Sequence, residues 1–221
     1  MMERHFDISL RQLKENLLIM AGYVERQIEF ATEALTEASE EKLNQIYELE
    51  KKVNQCHIDV DDGCVKLLAL QQPLAQDLRL IISILKINTD LERMGDQAVN
   101  IAHNSEYCFT GKPLKITEEI LKISKEVCFM VRESLDSFVK GDRNLADDVL
   151  SRDDTVDQLK DQVLKTMITH LKTNPQDISR GITLILIARN LERIGDHATN
   201  IAEDVIYVLT GKDIRHAAMR A

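Results

Sequence analysis

The stretch Leu91-Glu92-Arg93-Met94-Gly95-Asp96-Gln97-Ala98-Val99-Asn100-Ile101-Ala102 recurs one hundred residues later as Leu191-Glu192-Arg193-Ile194-Gly195-Asp196-His197-Ala198-Thr199-Asn200-Ile201-Ala202. The chain is therefore a tandem duplication. At this single offset, thirteen of the twenty-three positions from Asp90 to Lys112 are identical, including the Thr-Gly-Lys endings at Thr110 and Thr210. Matching of apolar positions alone is what a duplicated core would keep. Here acidic and amide positions match as well, so both halves carry the same carboxylate-bearing helix.

The rest of the chain sets the architecture around those two helices. Three prolines, eight glycines, no tryptophan and long stretches rich in Leu, Glu, Lys, Ala and Ile exclude most all-β folds. Apolar positions recur at three- and four-residue spacing through stretches near 7–38, 41–70, 75–109, 117–140, 143–172 and 178–209. Between them lie Ser39, Gln72-Pro73, Gly111-Lys112-Pro113 with Thr117 after it, Gly141-Asp142, Asn174-Pro175 and Gly211, residue types that start or stop helices. The fold class predicted is all-α: six long helices forming two pseudo-symmetric antiparallel three-helix bundles, spectrin-repeat-like in form, over 1–112 and 113–221. A connection of a few residues near 111–116 keeps the halves close, so they are expected to share one apolar interface about a pseudo-twofold axis.

The net charge of −9, with no continuous basic face, argues against a nucleic-acid backbone as partner and for cations or basic protein surfaces. Cys56, Cys64, Cys108 and Cys128 show no CxxC or zinc-ligand spacing; within helical patterns they read as buried free thiols of a reducing cytoplasm. The Met1–Asp7 stretch lacks the apolar core of a signal peptide, and the apolar runs near Ile81 and Ile182 are too short to span a bilayer, so membrane association is expected to be indirect only. The methionines are scattered and read as core filler, and no nucleophile elbow or phosphate-cradling glycine loop is present. His197 and His103 are expected at the solvated surface, and the Asp213/His216 pair alone marks no site.

At 100 degrees per residue Glu92, Asp96 and Asn100 fall at about 0, 40 and 80 degrees, whereas Met94, Ala98, Ile101 and Ala102 cluster at about 180 to 280 degrees. The acids are thus expected to face away from the core, and Glu192, Asp196 and Asn200 repeat the stripe. Asp153, Asp157 and Asp161 on the fifth helix, and Glu50, Asn54 and Asp61 with His57 nearby on the second, form similar rows. Adjacent antiparallel helices would bring the two rows of each half face to face across a shallow groove with four or more oxygen ligands. Like charges at i,i+4 destabilise a helix, so something positive must compensate them. Arg93 and Arg193, bridging to Asp96 and Asp196, would make the rows a structural charge network. A metal would make them a site, and the oxygen-rich donors suit hard cations such as Mg, Mn, Ca or Fe.

These residues carry a likeness. The doubled Leu-Glu-Arg-x-Gly-Asp, Pro73-x-Ala75-x-Asp77-Leu78-Arg79-Leu80 and Arg152-Asp153-Asp154-x-Val156-Asp157 resemble the PhoU family of phosphate-signalling regulators, from about Phe6 to Lys212. The family's acidic motif, Glu or Asp followed four residues later by Asp, maps to Glu92/Asp96, Glu192/Asp196 and Asp153/Asp157. The fourth copy departs, reading Glu50/Asn54, with Asp61 or His57 as substitutes. The resemblance implies multinuclear, carboxylate-bridged iron or zinc and, in many members, homodimers. It also implies a non-enzymatic negative regulator of phosphate uptake and phosphate-starvation signalling, set between the ATPase subunit of a phosphate ABC transporter and a sensor histidine kinase. Two other readings stand beside it. One is a di-iron carboxylate enzyme, which lacks here the inward glutamates and paired Glu-x-x-His of ferritin-like sites; the other is a purely structural scaffold.

Overall fold

A computed structural model describes residues 5–36, 40–108 and 118–215. Ser39, the connection at 111–116 with Thr110 and Thr117, His216 and the Cys108 side chain lie outside the described residues. The chain runs α1 (His5–Ala34), α2 (Glu40–Gln71), α3 (Ala75–Cys108), α4 (Glu118–Lys140), α5 (Arg143–Thr173), a 3₁₀ turn (Pro175–Asp177) and α6 (Ile178–Thr210). Five of these helices lie within a residue or so of the sequence expectation. The first is displaced toward the N-terminus and gives way to a turn after Ala34.

The helix ends follow from their residues. Asp142 caps α5 by accepting the Asn144 N–H at 2.8 Å, after Gly141 has turned the chain with φ +61. Gly211, at φ +70, closes α6 by donating its N–H to the Tyr207 carbonyl, a left-handed position that favours glycine. Pro73 lacks the N–H that would continue α2.

Each half is a three-helix bundle, and the halves meet chiefly along α3 and α6, with a smaller contact between α1 and α4. Asp90 meets His197 and Asn200, Lys86 meets Asp204, and Arg79 lies by Gly211, so α3 and α6 run antiparallel. Their burial patterns explain the central position. α2 buries only Ile46, Val53, Val60, Cys64 and Leu67, a narrow stripe close to a seven-residue spacing, whereas α6 buries residues from Gly181 to Ile206 against three other helices. One continuous apolar core therefore runs through both halves, as a shared interface requires. Of the cysteines, Cys64 is buried, its thiol pushed up to about 12 by loss of solvent, while Cys56 and Cys128 are only half-buried. Among the described residues no helix is long and apolar enough to cross a membrane.

Candidate cation grooves between the paired helices

The narrow stripes of α2 and α5 leave their flanks free, and the acidic rows lie on the flanks turned toward α3 and α6. In the second half the rows do face one another. Asp196 on α6 is pushed up to about 6, first by burial and then by Glu192, Asp153 and Asp157, which places two α5 carboxylates within electrostatic reach of it. Asp153 is also raised, by burial and by Asp157, Asp154 and Glu192. Lys160 sits among them: its Nζ lies 2.8 Å from Asp157 Oδ1, 3.1 Å from Glu192 Oε1 and 3.9 Å from Asp161 Oδ1. Arg193 is exposed, and the cation paired with Glu192 is Lys160 of α5.

The first half is built differently. Glu50 is held from both sides, Oε2 accepting from Gln27 Nε2 of α1 at 2.9 Å and Oε1 accepting from Asn54 Nδ2 at 3.2 Å. Glu92 is raised by burial and by Asp96 and Glu50, and lowered by Arg93 and His57. Arg93 does bridge here, Nη1 to Asp96 at 3.0 Å and Nε to Glu92 at 3.4 Å. Asn54 thus spends its amide on Glu50. Asp61 stands apart with Asn88, whose Nδ2 donates to it at 2.8 Å, and with His57 Nε2 at 3.7 Å.

Three expectations are corrected. Glu92 and Glu192 do not stand out in solvent: their side chains are only 21% and 20% exposed, because they line the inter-helix groove. Asn200 leaves the acidic row, donating instead to Asp90 of α3 at 3.1 Å, since its position some 80 degrees round the helix from Glu192 faces the other half. His197 is not a solvated side chain; its Nδ1 lies 2.8 Å from the same Asp90 carboxylate, a polar junction between the halves. Asn100, its counterpart's mate in the first repeat, is exposed at the end of its row. Asp161 is at the outer rim.

Sequence reasoning missed Lys160 and Gln27. The i,i+3 spacing of Asp157 and Lys160 was a readable signal, but nothing in the pattern of α1 announces that Gln27, fully buried, reaches Glu50. Gly95 makes that reach possible. A Cβ there would lie 3.0 Å from Gln27 Oε1 and 3.3 Å from Glu50 Oε2, whereas one on Gly195 would meet Met130 and Val156 at 3.7 Å. Gly195→Ala should therefore gain up to about 1 kcal/mol of helix propensity. Gly95→Ala should forfeit that gain and lose stability, because Gln27 cannot withdraw without breaking its bonds to Glu50 and the Ile46 carbonyl. Urea denaturation of the two variants side by side checks the contrast.

The donor set consists of carboxylate oxygens that repel one another, which fits a hard or borderline cation. Among the described residues, however, no three His, Cys, Asp or Glu side chains are posed together as ligands for one ion. Lys160 and Arg93 draw the oxygens toward themselves, so a metal would require side-chain rotations. Burial of the row and the uncompensated repulsion within it have a measurable consequence. Asp196 keeps its proton up to about 6 in the folded chain against an ordinary 3.8, so it favours the folded state at low pH and the advantage is lost as pH rises through about 6. In metal-free protein Asp196→Asn should raise stability at pH 7.5 by about 1 kcal/mol, a figure discounted for solvent screening of a partly exposed group, and leave it unchanged at pH 3.5. Thermal melts at the two pH values provide the check.

The family model for the PhoU domain matches the chain twice, over residues 17–105 and 120–205. The phosphate-specific transport system accessory protein PhoU homologues of Pseudomonas putida and Pseudomonas aeruginosa are 40% and 41% identical over 98% of this chain, spanning 85% and 90% of their own lengths. The crystal structure of PhoU from Pseudomonas aeruginosa is similar at a TM-score of 0.91 and 41% identity, covering 94% of this chain and 100% of that one. That of the phosphate transport system regulatory protein PhoU from Streptococcus pneumoniae reaches 0.86 at 29% identity, covering 95% and 99%.

Proposed function

This chain belongs to the PhoU family, and from that premise we propose that it is a non-enzymatic accessory protein of a phosphate-specific transport system, a cation-responsive adaptor that restrains phosphate uptake and phosphate-starvation signalling. Its partners are the ATPase subunit of the transporter and a sensor histidine kinase, met in the cytoplasm by a protein that forms homodimers. The observation that carries the cation-responsive part is the pair of facing acidic rows in the second half, where burial and then mutual repulsion push Asp196 up to about 6. Asp153, Asp157, Glu192 and Asp196 would hold a cation there; Glu50, Glu92 and Asp96, with Asp61 or His57 at the edge, would hold one in the first half. Iron or zinc, in clusters bridged by carboxylates, are the family's expectation, and magnesium or manganese suit the same oxygens. When bound, such an ion supplies the positive charge that neutralises the groove. The chain's own part is to orient the acids, Glu50 through Gln27 and Glu192 through Lys160, and so to set whether the groove presents an anionic or a neutral face to a basic partner surface.

Elemental analysis of protein purified without chelators tests the cation. Joint replacement of Glu92, Asp96, Glu192 and Asp196 by alanine should remove most of the metal while helicity is retained. Co-precipitation with the ATPase subunit and with the kinase, before and after chelation, tests the adaptor role. Unchanged partner binding after the metal is stripped from a folded protein would refute the coupling. The ammonium and guanidinium contacts of Lys160 and Arg93 favour a second reading, a charge network that serves the fold alone. Metal-free protein from cells grown with ample iron, zinc and manganese would establish it.

A further inference from the structure

The second groove already holds a cation, and that cation belongs to the chain. The Lys160 ammonium lies between the α5 and α6 rows, bonded to Asp157 Oδ1 and Glu192 Oε1 at 2.8 and 3.1 Å. We infer that Lys160 is a tethered competitor for the groove, an internal counter-ion that an incoming divalent cation must displace, so that loading of the second half is coupled to movement of this side chain. The inference rests on the reading of the acidic rows as a cation site and adds the device that regulates it.

Three observations support it. First, Lys160 joins both helices of the groove and is bonded to two of the four carboxylates that would hold an ion, one from each row, so the two cations compete for them. Second, there is somewhere for the lysine to go. A recess of about 250 Å³ opens beside it, lined by Lys160, Asp161, Leu164, Ile185, Arg189 and, on its α6 wall, Glu192 among others. The Asp161 carboxylate is already 3.9 Å from Nζ, so a rotation of the flexible stem exchanges Asp157 and Glu192 for Asp161 without leaving the ammonium unpaired. Third, the corresponding place in the first half is filled otherwise. There Glu50 is held by the neutral amides of Gln27 and Asn54, and the bridging arginine, Arg93, is 55% exposed against 29% for Lys160. The two grooves therefore differ: the first has His57 at the place of Lys160, set 3.7 Å from Asp61, with Arg93 at its rim, whereas the second has an ammonium bonded to both rows.

Charge decides what can displace the lysine. A monovalent ion would replace one unit charge by another and gain nothing electrostatically. A divalent ion adds a second unit of attraction to each carboxylate, so the device discriminates against sodium and potassium and sets a concentration threshold for the divalent ion. Entry of the ion also transfers a positive charge from the floor of the groove to its α5 rim, altering the surface presented outward.

The test uses the full chain with the first groove disabled by Glu92→Gln and Asp96→Asn, so that only the second is titrated. Stripped protein is titrated with Mn²⁺ by calorimetry, and binding is confirmed by loss of the free-ion electron paramagnetic resonance signal. Lys160→Met, which keeps the stem and removes the charge, should bind Mn²⁺ about tenfold more tightly, while Lys160→Arg stays at or below the parent affinity. Independently, acylation of Lys160 by a hydroxysuccinimide ester, read by peptide mass spectrometry, should rise several-fold on Mn²⁺ loading, with no change at Lys140, an exposed lysine paired to Asp136. If the parent binds Mn²⁺ and Lys160→Met binds it no more tightly, or if acylation does not rise, the displacement inference is overturned and the cation site stands. If neither protein binds Mn²⁺, the cation reading fails and the inference with it.

Discussion

Leu191→Ala should lower the free energy of unfolding by about 3–5 kcal/mol. The side chain has no solvent exposure, and its helix, α6, packs on α3, α4 and α5 at once. Truncation therefore leaves a cavity in the helix that carries the main contact between the halves as well as its own bundle's core, where the surroundings have little freedom to collapse. Because the core is continuous, unfolding followed by far-ultraviolet circular dichroism should remain a single transition moved to lower urea. Leu164→Ala, at a side chain 41% exposed, should cost less than about 1 kcal/mol. A small loss for Leu191→Ala, or a transition that splits in two, would show that the halves stand independently.

The second large effect is expected at Asp204. This α6 carboxylate is 1% exposed, and its Oδ1 receives both Arg215 Nη2 from beyond the end of the helix and Lys86 Nζ from α3 at 3.3 Å. Burial raises its pKa and the two cations oppose that rise. Arg215→Ala removes the nearer cation and leaves a buried anion with Lys86 as its one remaining charged partner, at a cost of about 2–4 kcal/mol at pH 8. A raised carboxyl is a burden that is complete above its folded value and lifts as pH falls through it, so the deficit should shrink on acidification. Asp204→Asn added to Arg215→Ala should recover much of the loss at pH 8 for the same reason. Denaturation of the single and double variants at pH 8 and pH 5 measures this; a deficit that is independent of pH and not rescued by Asp204→Asn would mean that Arg215 acts through packing or through Glu203, 3.2 Å from its Nε, and not through Asp204.

Both effects bear on the grooves, because α3 and α6 each carry one acidic row and one share of the common core. Displacing either helix would alter the spacing of Glu92 from Glu50, or of Glu192 from Asp157, before any ligand is considered. Removing the four acids relieves repulsion between like charges as it breaks their ion pairs, and takes nothing from the apolar core, which is why the four-alanine variant is expected to stay folded while losing metal.

What the amino-acid order determines unaided is local and periodic. The duplication, six helices, their caps at Asp142 and Gly211 and the acidic rows at i,i+4 follow from hydrogen-bond geometry and the 3.6-residue repeat, which act within a few residues. The facing of the second-half rows could also be anticipated, since short connections make consecutive helices antiparallel neighbours. Helix rotation and the identity of the neighbour on each flank were decided only when three helices closed on a core and two cores met. A rotation of some tens of degrees sends Asn200 to Asp90 instead of to α5, brings His197 out of solvent, and sets Lys160 between two carboxylates. Gln27 meets Glu50 across twenty-three positions of sequence because Gly95 leaves room. Such pairings depend on packing summed over the whole interior, and no local spacing encodes them.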